Sequence, residues 1–265
     1  MLTLNGVSKR YGDASTGTPA VKDLSFTIGG GQIVTIVGPS GCGKTTVLKL
    51  MAGLLTPTSG TVEVDGRAIS GPPEQIALVF QDYANSLYPW MTVADNVAFP
   101  LRRLKLSRSA RRDRVARALQ SVGLAGFTDK YPWQLSGGMQ QRVAIARGLA
   151  YQPEILLMDE PFGALDAQTR ADLEDLVMKI RDDFDVTIVF VTHDIDESIY
   201  LADRVLVMGP RPTFIDEDLP VTLPKPRDQL LTKQHAEFGE LRAHLYRNIK
   251  ASSQLMAQTG TVPTT

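Results

Sequence analysis

The sequence is poor in cysteine, in net charge and in long apolar runs, and each shortage excludes a class of protein. Cys42 is the single cysteine, which excludes an intrachain disulfide and a cysteine-based metal cluster and fits a reducing compartment. Because 28 Lys and Arg face 29 Asp and Glu, no overall field would recruit nucleic acid or anionic lipid. No run approaches the ~20 apolar residues of a membrane-spanning helix. Membrane association would therefore require a partner protein.

Short apolar runs alternate with longer helical patterns, and glycine and proline separate them. This alternation is typical of an α/β domain in which helices flank a mostly parallel sheet. The first 80 residues are rich in strands, which predicts an additional, small β layer. We expect this layer to be antiparallel. The apolar runs Ile155–Met158 and Thr187–Val191 predict central strands buried on both faces. The other predicted strands are Leu2–Leu4, Leu24–Ile28, Ile33–Val37, Thr61–Val64 and Ala77–Phe80.

The remaining chain divides by composition. Residues 93–150 carry a helical pattern, which predicts a helical subdomain. Beyond Gly209 the chain is rich in proline, which favours an extended connector, and residues 226–250 are predicted to form a helical extension. Residues 251–265 have the composition of a disordered tail. The apolar face of the helical extension consists of Phe238, Leu241, Leu245 and Ile249.

A glycine-rich loop lies between a predicted strand and a helical run. Its sequence, GPSGCGKT, matches G-x-x-x-x-G-K-[ST] and predicts a loop that binds the phosphates of a nucleotide. Its backbone N–H groups and the helix N-terminus would face the phosphates, Lys44 would neutralise β/γ charge, and Thr45 can hold Mg²⁺. Taken alone, an ordinary glycine-rich turn is the alternative. The loop residues are Gly38, Pro39, Ser40, Gly41, Cys42, Gly43, Lys44, Thr45 and Thr46.

Two adjacent acidic residues, Asp159 and Glu160, end the apolar run that begins at Ile155. Ligands of open parallel sheets bind at the carboxyl ends of the strands. Alternating side chains would direct one carboxylate to Mg²⁺ and the other to an attacking water molecule. A strand that ends at an acidic turn is common, so the acidic pair alone does not predict a catalytic site. It does so only in combination with the phosphate loop.

The segment Leu135–Arg142, LSGGMQQR, opens a helical pattern that continues to Ala150. Ser136 lies near the predicted N-cap, where its hydroxyl and the amides of Gly137 and Gly138 can form a second anion site. A serine-capped helix without a ligand is the alternative for the segment alone. In its position between the phosphate loop and the acidic strand, the segment resembles the signature sequence of ABC-type ATPases.

The resemblance covers about residues 1–225 and implies a P-loop NTPase core of the ABC type. It implies that Tyr11 stacks on adenine, that Gln81 approaches Mg²⁺ and the attacking water, and that His193 contacts the γ-phosphate. Asp166, in the sequence ALD, matches the loop that crosses to a partner subunit. Without the resemblance, each of these residues would have a structural explanation, such as a half-buried tyrosine or a histidine at a strand end.

The resemblance also implies a catalytic cycle that needs a second ATPase subunit. Two chains would close around two ATP molecules, with the phosphate loop of one chain facing Ser136 and Gly138 of the other. Hydrolysis would then reopen the dimer. The implied metal ligands are Thr45, Gln81 and Asp159. The implied catalytic residues are Lys44, Gln81, Glu160 and His193.

Two further segments resemble the importer ATPases for nitrate, sulfonate, taurine and bicarbonate. These are Leu87–Phe99 and the proline-rich stretch from Arg211 to Asp228. The resemblance implies a peripheral subunit at the cytoplasmic face of a bacterial plasma membrane, where it would energise uptake of a small anionic solute. Transmembrane permease subunits would hold it, and an extracytoplasmic solute-binding protein would act indirectly. The linker between Gln81 and Pro89 is longer than in sulfonate-type members, so the solute itself stays open.

Two local features each leave two interpretations. The aromatic-rich segment Asp82–Trp90 is either a local core or the rim of a groove for a partner helix, and the resemblance favours docking through Leu87 and Tyr88. Because Cys42 lies inside the phosphate loop, we expect alkylation of its thiol to inhibit ATP hydrolysis and bound ATP to protect it; a buried, inert thiol is the alternative.

A dense basic run between residues 102 and 117 leaves a second function open. It is either a solvated helical face or a contact surface of a non-transport ABC ATPase that acts on nucleic acid or the ribosome. The single cassette and the lack of a long heptad insertion favour transport, without nucleic acid. A small-molecule phosphotransferase with the same loop would not explain LSGGMQQR. The basic residues are Arg102, Arg103, Lys105, Arg108, Arg111, Arg112, Arg114 and Arg117.

Overall fold

The structure is a computed structural model of the chain, and it consists of two compact units. The first combines Met1–Pro73 with the chain from Thr187 onward, and the second is Glu74–Val186. The phosphate loop belongs to the first unit, whereas the acidic pair and the signature segment belong to the second. The described residues are 1–12, 17–163 and 165–258, apart from the side chains of Tyr83 and Ala84.

Strands and helices alternate along the chain, as the sequence predicts. The strands are β1 (Leu2–Tyr11), β2 (Thr18–Ile28), β3 (Ile33–Val37), β4 (Ser59–Val64), β5 (Arg67–Ala68), β6 (Ile76–Val79), β7 (Ile155–Asp159), β8 (Thr187–Val191), β9 (Arg204–Met208) and β10 (Ile215–Pro220). The helices are α1 (Lys44–Met51), α2 (Tyr83–Ser86), α3 (Val93–Ala98), α4 (Arg108–Ser121), α5 (Gly137–Ala150), α6 (Ala167–Phe184), α7 (Ile195–Leu201), α8 (Leu231–Gln234) and α9 (Ala236–Gln258). Short 3₁₀ turns cover Phe99–Arg103, Ala125–Phe127 and Pro132–Gln134.

The first unit contains an antiparallel layer and a mostly parallel layer. The antiparallel sheet has the order β2-β1-β4-β5, which confirms the additional β layer expected from the sequence. In the other layer β9, β3 and β8 run parallel, and β10 lies antiparallel at the edge. All side chains of β3 and β8 are buried, which explains their continuous apolar sequences.

The parallel strands bring three loops to one edge of this layer. The phosphate loop follows β3, His193 follows β8, and the turn Gly209–Phe214 follows β9. The loop after β8 is tied to β3, since the N–H of Thr192 donates to the carbonyl oxygen of Ile36 at 3.2 Å. The carboxyl ends of parallel strands are where such layers bind ligands, so this edge is the candidate site of the first unit.

The second unit is built around a parallel strand pair and a group of helices. β6 and β7 run parallel, with Ile76 opposite Ile155 and Val79 opposite Met158. Residues 93–150 hold α3, α4 and α5, and α5 packs against both other helices through buried residues such as Val143. The loops after β6 and β7 therefore start side by side.

Two segments differ from the sequence-based expectations. The proline-rich stretch after Gly209 is more than a connector, because it includes β10, an edge strand paired with β9. Proline is tolerated at such an edge, where one side of the strand has no ladder to interrupt. The disordered tail was placed too early, because α9 continues to Gln258 with Ser252 and Met256 buried. Residues 259–265 lie outside the described part of the chain.

Helix α9 packs within the first unit through one face, as its apolar spacing predicts. Phe238 and Leu245 are fully buried, and α9 contacts α7 and α8. Arg242 adds an ion pair with Asp196 of α7 at 3.3 Å. Because both partners of this pair are largely exposed, burial of the apolar face supplies most of the packing energy.

We expect Phe238→Ala to lower the free energy of unfolding by about 3–5 kcal/mol, because a fully buried aromatic ring would leave a cavity. Tyr246→Ala is the matched control on the same helix; its side chain is 57% exposed, and its effect should stay within ~0.5 kcal/mol. Urea unfolding followed by circular dichroism measures both values. Equal effects would show that α9 does not dock through this face.

Candidate nucleotide-binding site

The phosphate loop is held by its own backbone and by Lys44. The ammonium group of Lys44, the first residue of α1, donates to the carbonyl oxygens of Gly38 at 2.9 Å and Pro39 at 3.0 Å. The N–H of Cys42 donates to the carbonyl oxygen of Pro39 at 3.2 Å. Because the N-cap position is Gly43, no side chain caps the first turn of α1. Its backbone donors and positive dipole are thus available to an anion.

Glycine is required in this loop because neighbouring chain lies against it. A Cβ atom at Gly38 would lie 2.8 Å from the carbonyl oxygen of Met208, closer than such atoms approach. Gly43 has a φ of 126°, and a Cβ there would lie 3.3 Å from Cγ2 of Thr213. The end of β9 and the turn after it therefore restrict which residues can occupy positions 38 and 43 of the loop.

The thiol of Cys42 is fully buried beneath the loop. Burial raises the pKa of the thiol above its ordinary value, although nearby Lys44, Thr213 and Arg211 act in the opposite direction. The structure therefore speaks against the expected reactive thiol and supports the alternative, a buried thiol with low reactivity.

Tyr11 and His193 also lie in the first unit. The Tyr11 side chain is 45% exposed, and its hydroxyl oxygen lies 3.3 Å from the hydroxyl oxygen of Thr46, beside the phosphate loop. The Tyr11 side chain therefore lies next to the end of the phosphate loop. His193 is exposed in the loop after β8, directly before the N-cap residue Asp194 of α7.

In the second unit, the residues after β6 and β7 meet. Asp159 is the last residue of β7 and is buried, whereas Glu160 lies beyond the strand with a φ of 41°. Strand alternation therefore does not aim the Glu160 carboxylate, contrary to the sequence argument; a turn in the left-handed region does. The side-chain amide of Gln81 donates to the Glu160 carboxylate at 3.3 Å.

The signature segment forms the start of α5. Ser136 is the N-cap residue, and its hydroxyl accepts a bond from the N–H of Met139 at 3.4 Å. Ser136 and Gly137 are exposed, whereas Gly138 is buried. This geometry leaves an open helix N-terminus that a phosphate group can approach.

Asp166 caps α6, in the same unit. Its carboxylate accepts bonds from the N–H of Thr169 at 3.0 Å and from the Thr169 hydroxyl at 2.7 Å. These bonds hold the pKa of the Asp166 carboxyl below its ordinary value. Ala164, the first residue of the ALD sequence, lies outside the described residues.

The sequence analysis missed Arg147, in the last turn of α5. Its guanidinium donates to the carbonyl oxygen of Ser86 at 2.6 Å and to the Ser86 hydroxyl at 2.8 Å. Burial lowers the pKa of Arg147, which shows how far the group is removed from water. The helix that starts with the signature segment therefore ends on the aromatic-rich segment. No local pattern links these residues, which are 61 positions apart.

We expect Cys42 to react slowly with iodoacetamide in the native protein at neutral pH. Burial excludes the reagent, and the raised pKa leaves less thiolate, so the rate should still rise at pH values where an exposed cysteine is fully ionised. Mass spectrometry of the labelled protein measures the rate. Urea-unfolded protein should label at the ordinary rate, and Cys42→Ala should not label. Rapid labelling of the native protein would contradict a buried thiol.

Comparison with known proteins gives concordant matches. A family profile described as "ABC transporter" matches residues 21–163. The nitrate transport protein NasD of Klebsiella oxytoca is 43% identical over 250 residues, covering 92% of this chain and 94% of the relative. The aliphatic sulfonates import ATP-binding protein SsuB of Bacillus licheniformis is 41% identical over 259 residues, 98% of each chain. A dimeric ATP-binding cassette, solved with ADP and Pi, is 34% identical with a TM-score of 0.72, covering 83% of this chain and 99% of that chain.

These matches confirm the predicted fold, a P-loop NTPase of the ABC type with parallel strands, an antiparallel layer and helices. They also agree with the order of the phosphate loop, the signature segment and the acidic strand in the sequence. The chain therefore belongs to the ABC transporter family, as an ATP-binding and ATP-hydrolysing subunit.

Proposed function

We propose that this chain energises the import of a small anionic solute by hydrolysing ATP at two sites shared between two copies of itself. The observation that carries the proposal is the hydrogen bond between Gln81 and the Glu160 carboxylate at the end of the β6–β7 pair. It orders a general base in a chain that also holds a phosphate loop. The named solutes of two relatives, nitrate and sulfonates, are small oxyanions, which supports the solute class.

The first unit would hold the nucleotide. Lys44 is buried, and its ammonium group donates to two neutral carbonyl oxygens, so β/γ-phosphate oxygens would supply the negative charge that these partners do not carry. The backbone donors at the start of α1 would bind the same phosphates. Tyr11 would stack on the adenine, and His193 would contact the γ-phosphate.

The donor groups suit Mg²⁺ bound together with ATP. The hydroxyl of Thr45, the side-chain oxygen of Gln81 and the carboxylate of Asp159 are hard oxygen ligands of the kind that Mg²⁺ prefers. Within the described residues, no group of three or more His, Cys, Asp or Glu could hold a metal ion by itself. We propose that the ion binds together with the phosphates, whose charge it neutralises.

Hydrolysis would then depend on orientation and electrostatics. Glu160 would accept a hydrogen bond from the attacking water, and Gln81 would keep that carboxylate in place through the bond of 3.3 Å. Ser136 and Gly138 of a second copy would contact the γ-phosphate with the open N-terminus of α5, and Asp166 would cross to the partner. Closure around ATP and reopening after hydrolysis would drive the transport cycle.

We expect Glu160→Gln to bind MgATP and to lose hydrolysis by about 10²–10⁴-fold, because the phosphate contacts remain while the general base is removed. The variant should accumulate as an ATP-dependent dimer in size-exclusion chromatography. Turnover close to that of the unmodified chain would contradict the role of Glu160.

Lys44→Ala is the matched contrast, since it removes a phosphate contact and keeps Glu160. It should lose nucleotide affinity rather than the chemical step alone, because the triphosphate would face the loop without its cation. Equilibrium binding of a fluorescent ATP analogue separates the two variants. If Lys44→Ala binds ATP normally, the assignment of the loop fails.

A groove in the second unit is the proposed docking site for a permease. It has a volume of about 490 Å³ and is lined by Phe80, Tyr88, Phe99, Tyr151 and Arg147, among others. The ring centroids of Tyr88 and Phe99 lie 4.6 Å apart, so these two aromatic side chains pack against each other in the groove wall. An amphipathic helix from the cytoplasmic side of a permease fits an apolar groove of this kind.

The expected contact residues of the aromatic segment have different environments. Tyr88 lines the groove, as the docking hypothesis requires, whereas Leu87 is only 3% exposed and belongs to the core. Leu87 is therefore unsuitable as a probe of docking, which corrects the expectation from sequence.

A permease would also account for membrane attachment. None of the helices in the described residues is long and apolar enough to cross a membrane. We propose that the chain is a peripheral subunit at the cytoplasmic face of the bacterial plasma membrane, held by permease subunits. A solute-binding protein on the opposite side would act only through the permease.

We expect Tyr88→Ser to reduce solute-stimulated ATP hydrolysis and uptake by the assembled transporter about tenfold or more, because it removes part of the groove wall. Hydrolysis by the isolated chain should change less than about twofold, since Tyr88 touches no nucleotide-binding residue named above. Phe127→Ser, at an aromatic residue outside the groove and 37% exposed, is the matched control. Unchanged uptake with Tyr88→Ser would contradict docking here.

The basic run gives no support to a nucleic-acid function. The Arg117 guanidinium covers the ring of Phe184 at 4.8 Å, and that of Arg102 covers Phe99 at 5.2 Å, so two of the cations pack on rings of the chain itself. The relatives described above are named as transport proteins. Transport therefore remains the proposed function.

A further inference from the structure

Thr169, in the first turn of α6, contacts two motifs that the sequence analysis treated as separate. Its N–H and its hydroxyl both donate to the carboxylate of Asp166, at 3.0 and 2.7 Å. Its methyl group packs against Gly138 of the signature segment. Thr169, Asp166 and Gly138 all belong to the second unit, so one side chain joins two segments of the same body.

A side chain at position 138 would meet the methyl group of Thr169, so it fits there only if Thr169 moves. A Cβ atom at Gly138 would lie 2.4 Å from Cγ2 of Thr169, although it would lie 3.8 Å from Cβ of Thr169. The methyl group alone therefore creates the clash. Because protein interiors are closely packed, a displacement of Thr169 toward Gly138 would be transmitted to the start of α5.

The contact with Asp166 fixes the direction of an exposed carboxylate. Two donors of Thr169 hold its two oxygens, and these bonds lower the pKa of the carboxyl group. Without the hydroxyl, only the backbone N–H of Thr169 would remain as a donor from this residue. The hydroxyl thus orients Asp166, and the methyl group orients Gly138.

We propose that Thr169 is a positioning residue that couples Asp166 to the start of the signature segment, so that both approach the partner subunit in the same movement. The inference rests on the proposed head-to-tail dimer, in which Asp166 and Gly138 both face the second copy. Thr169 would act through Asp166 and Gly138 rather than by contact with the nucleotide. Its effect should therefore appear in dimer closure and turnover rather than in the binding of ATP to an isolated chain.

Two substitutions of the full-length chain separate the roles of the hydroxyl and the methyl group. T169V keeps a methyl group against Gly138 and removes the donor to Asp166, whereas T169S keeps the donor and removes the methyl group. We expect T169V to lower kcat about tenfold while KM for ATP changes less than about twofold, because misplacement affects the closed state. ATP-dependent dimerisation of E160Q/T169V should weaken relative to E160Q.

A compensating pair tests the packing contact directly. G138A should abolish most activity, because the new methyl group meets Cγ2 of Thr169 at 2.4 Å. In G138A/T169S the nearest atom of residue 169 is Cβ at 3.8 Å, so activity should recover about tenfold relative to G138A. G138A/T169V keeps the clash and should stay inactive.

The outcomes separate this inference from the proposed function. If the unmodified chain neither hydrolyses ATP nor dimerises with it in the E160Q background, the proposed function fails. If it does both, and G138A/T169S is as inactive as G138A while T169V has normal kcat, then Thr169 has no positioning role. Urea unfolding of each variant identifies losses caused by misfolding, and the comparison uses variants whose unfolding midpoints match the unmodified chain.

Discussion

The structure depends on one constraint, the turn by which the chain leaves β3 and enters α1 with its backbone donors facing inward. At Gly38 the neighbouring Met208 carbonyl leaves no room for a side chain, since its oxygen would lie only 2.8 Å from a Cβ atom there. Thr213 closes the loop from behind; it is fully buried and bonded to Ala20 through its N–H at 2.9 Å. The parallel order of β9, β3 and β8 makes this arrangement possible, because it places the turn after β9 next to the loop after β3.

Positive charge at this turn faces neutral hydrogen-bond partners. Lys44 is buried against carbonyl oxygens, and α1 begins without a capping side chain. Both features favour an anion, and together they concentrate positive potential locally in a chain whose overall charge is close to neutral. In the second unit, Glu160 occupies a left-handed conformation that most residues avoid, at a φ of 41°. Such conformations persist where the surroundings enforce them, and here the Gln81 contact belongs to those surroundings.

Helix α5 connects the two functional ends of the second unit. Its 14 residues extend about 21 Å, and Arg147, which contacts Ser86, lies about 14 Å along the helix from Gly138 of the signature segment. A partner that binds the groove would contact Ser86 and Arg147 near the C-terminal end of α5. At the N-terminal end of α5, Gly138 packs against Thr169. In the proposed transporter, α5 would therefore link the docking groove to the residues that close on ATP.

The sequence by itself determined the features that depend on local spacing. The phosphate loop, the acidic pair and the LSGGMQQR segment are each contiguous, so their residue types and order predict the fold class, the nucleotide and the family. The parallel strands were also predictable, because burial on both faces leaves a continuous apolar run, as in β3 and β8. The predicted bounds of β3 and β8 match the structure, whereas those of β1, β2 and β4, in the antiparallel sheet, were too short by seven, six and two residues, since strand ends are set by pairing with neighbours.

Only the tertiary structure decided the features that join distant parts of the chain. Cys42 and Leu87 are buried, β10 pairs with β9, and α9 extends to Gln258, each because of neighbours that no local pattern reveals. The same holds for the contacts of Arg147 with Ser86 and of Thr169 with Gly138. The physical reason is that burial, hydrogen bonding and close packing are properties of pairs of residues. The sequence lists the members of each pair, and the fold alone determines which of them meet.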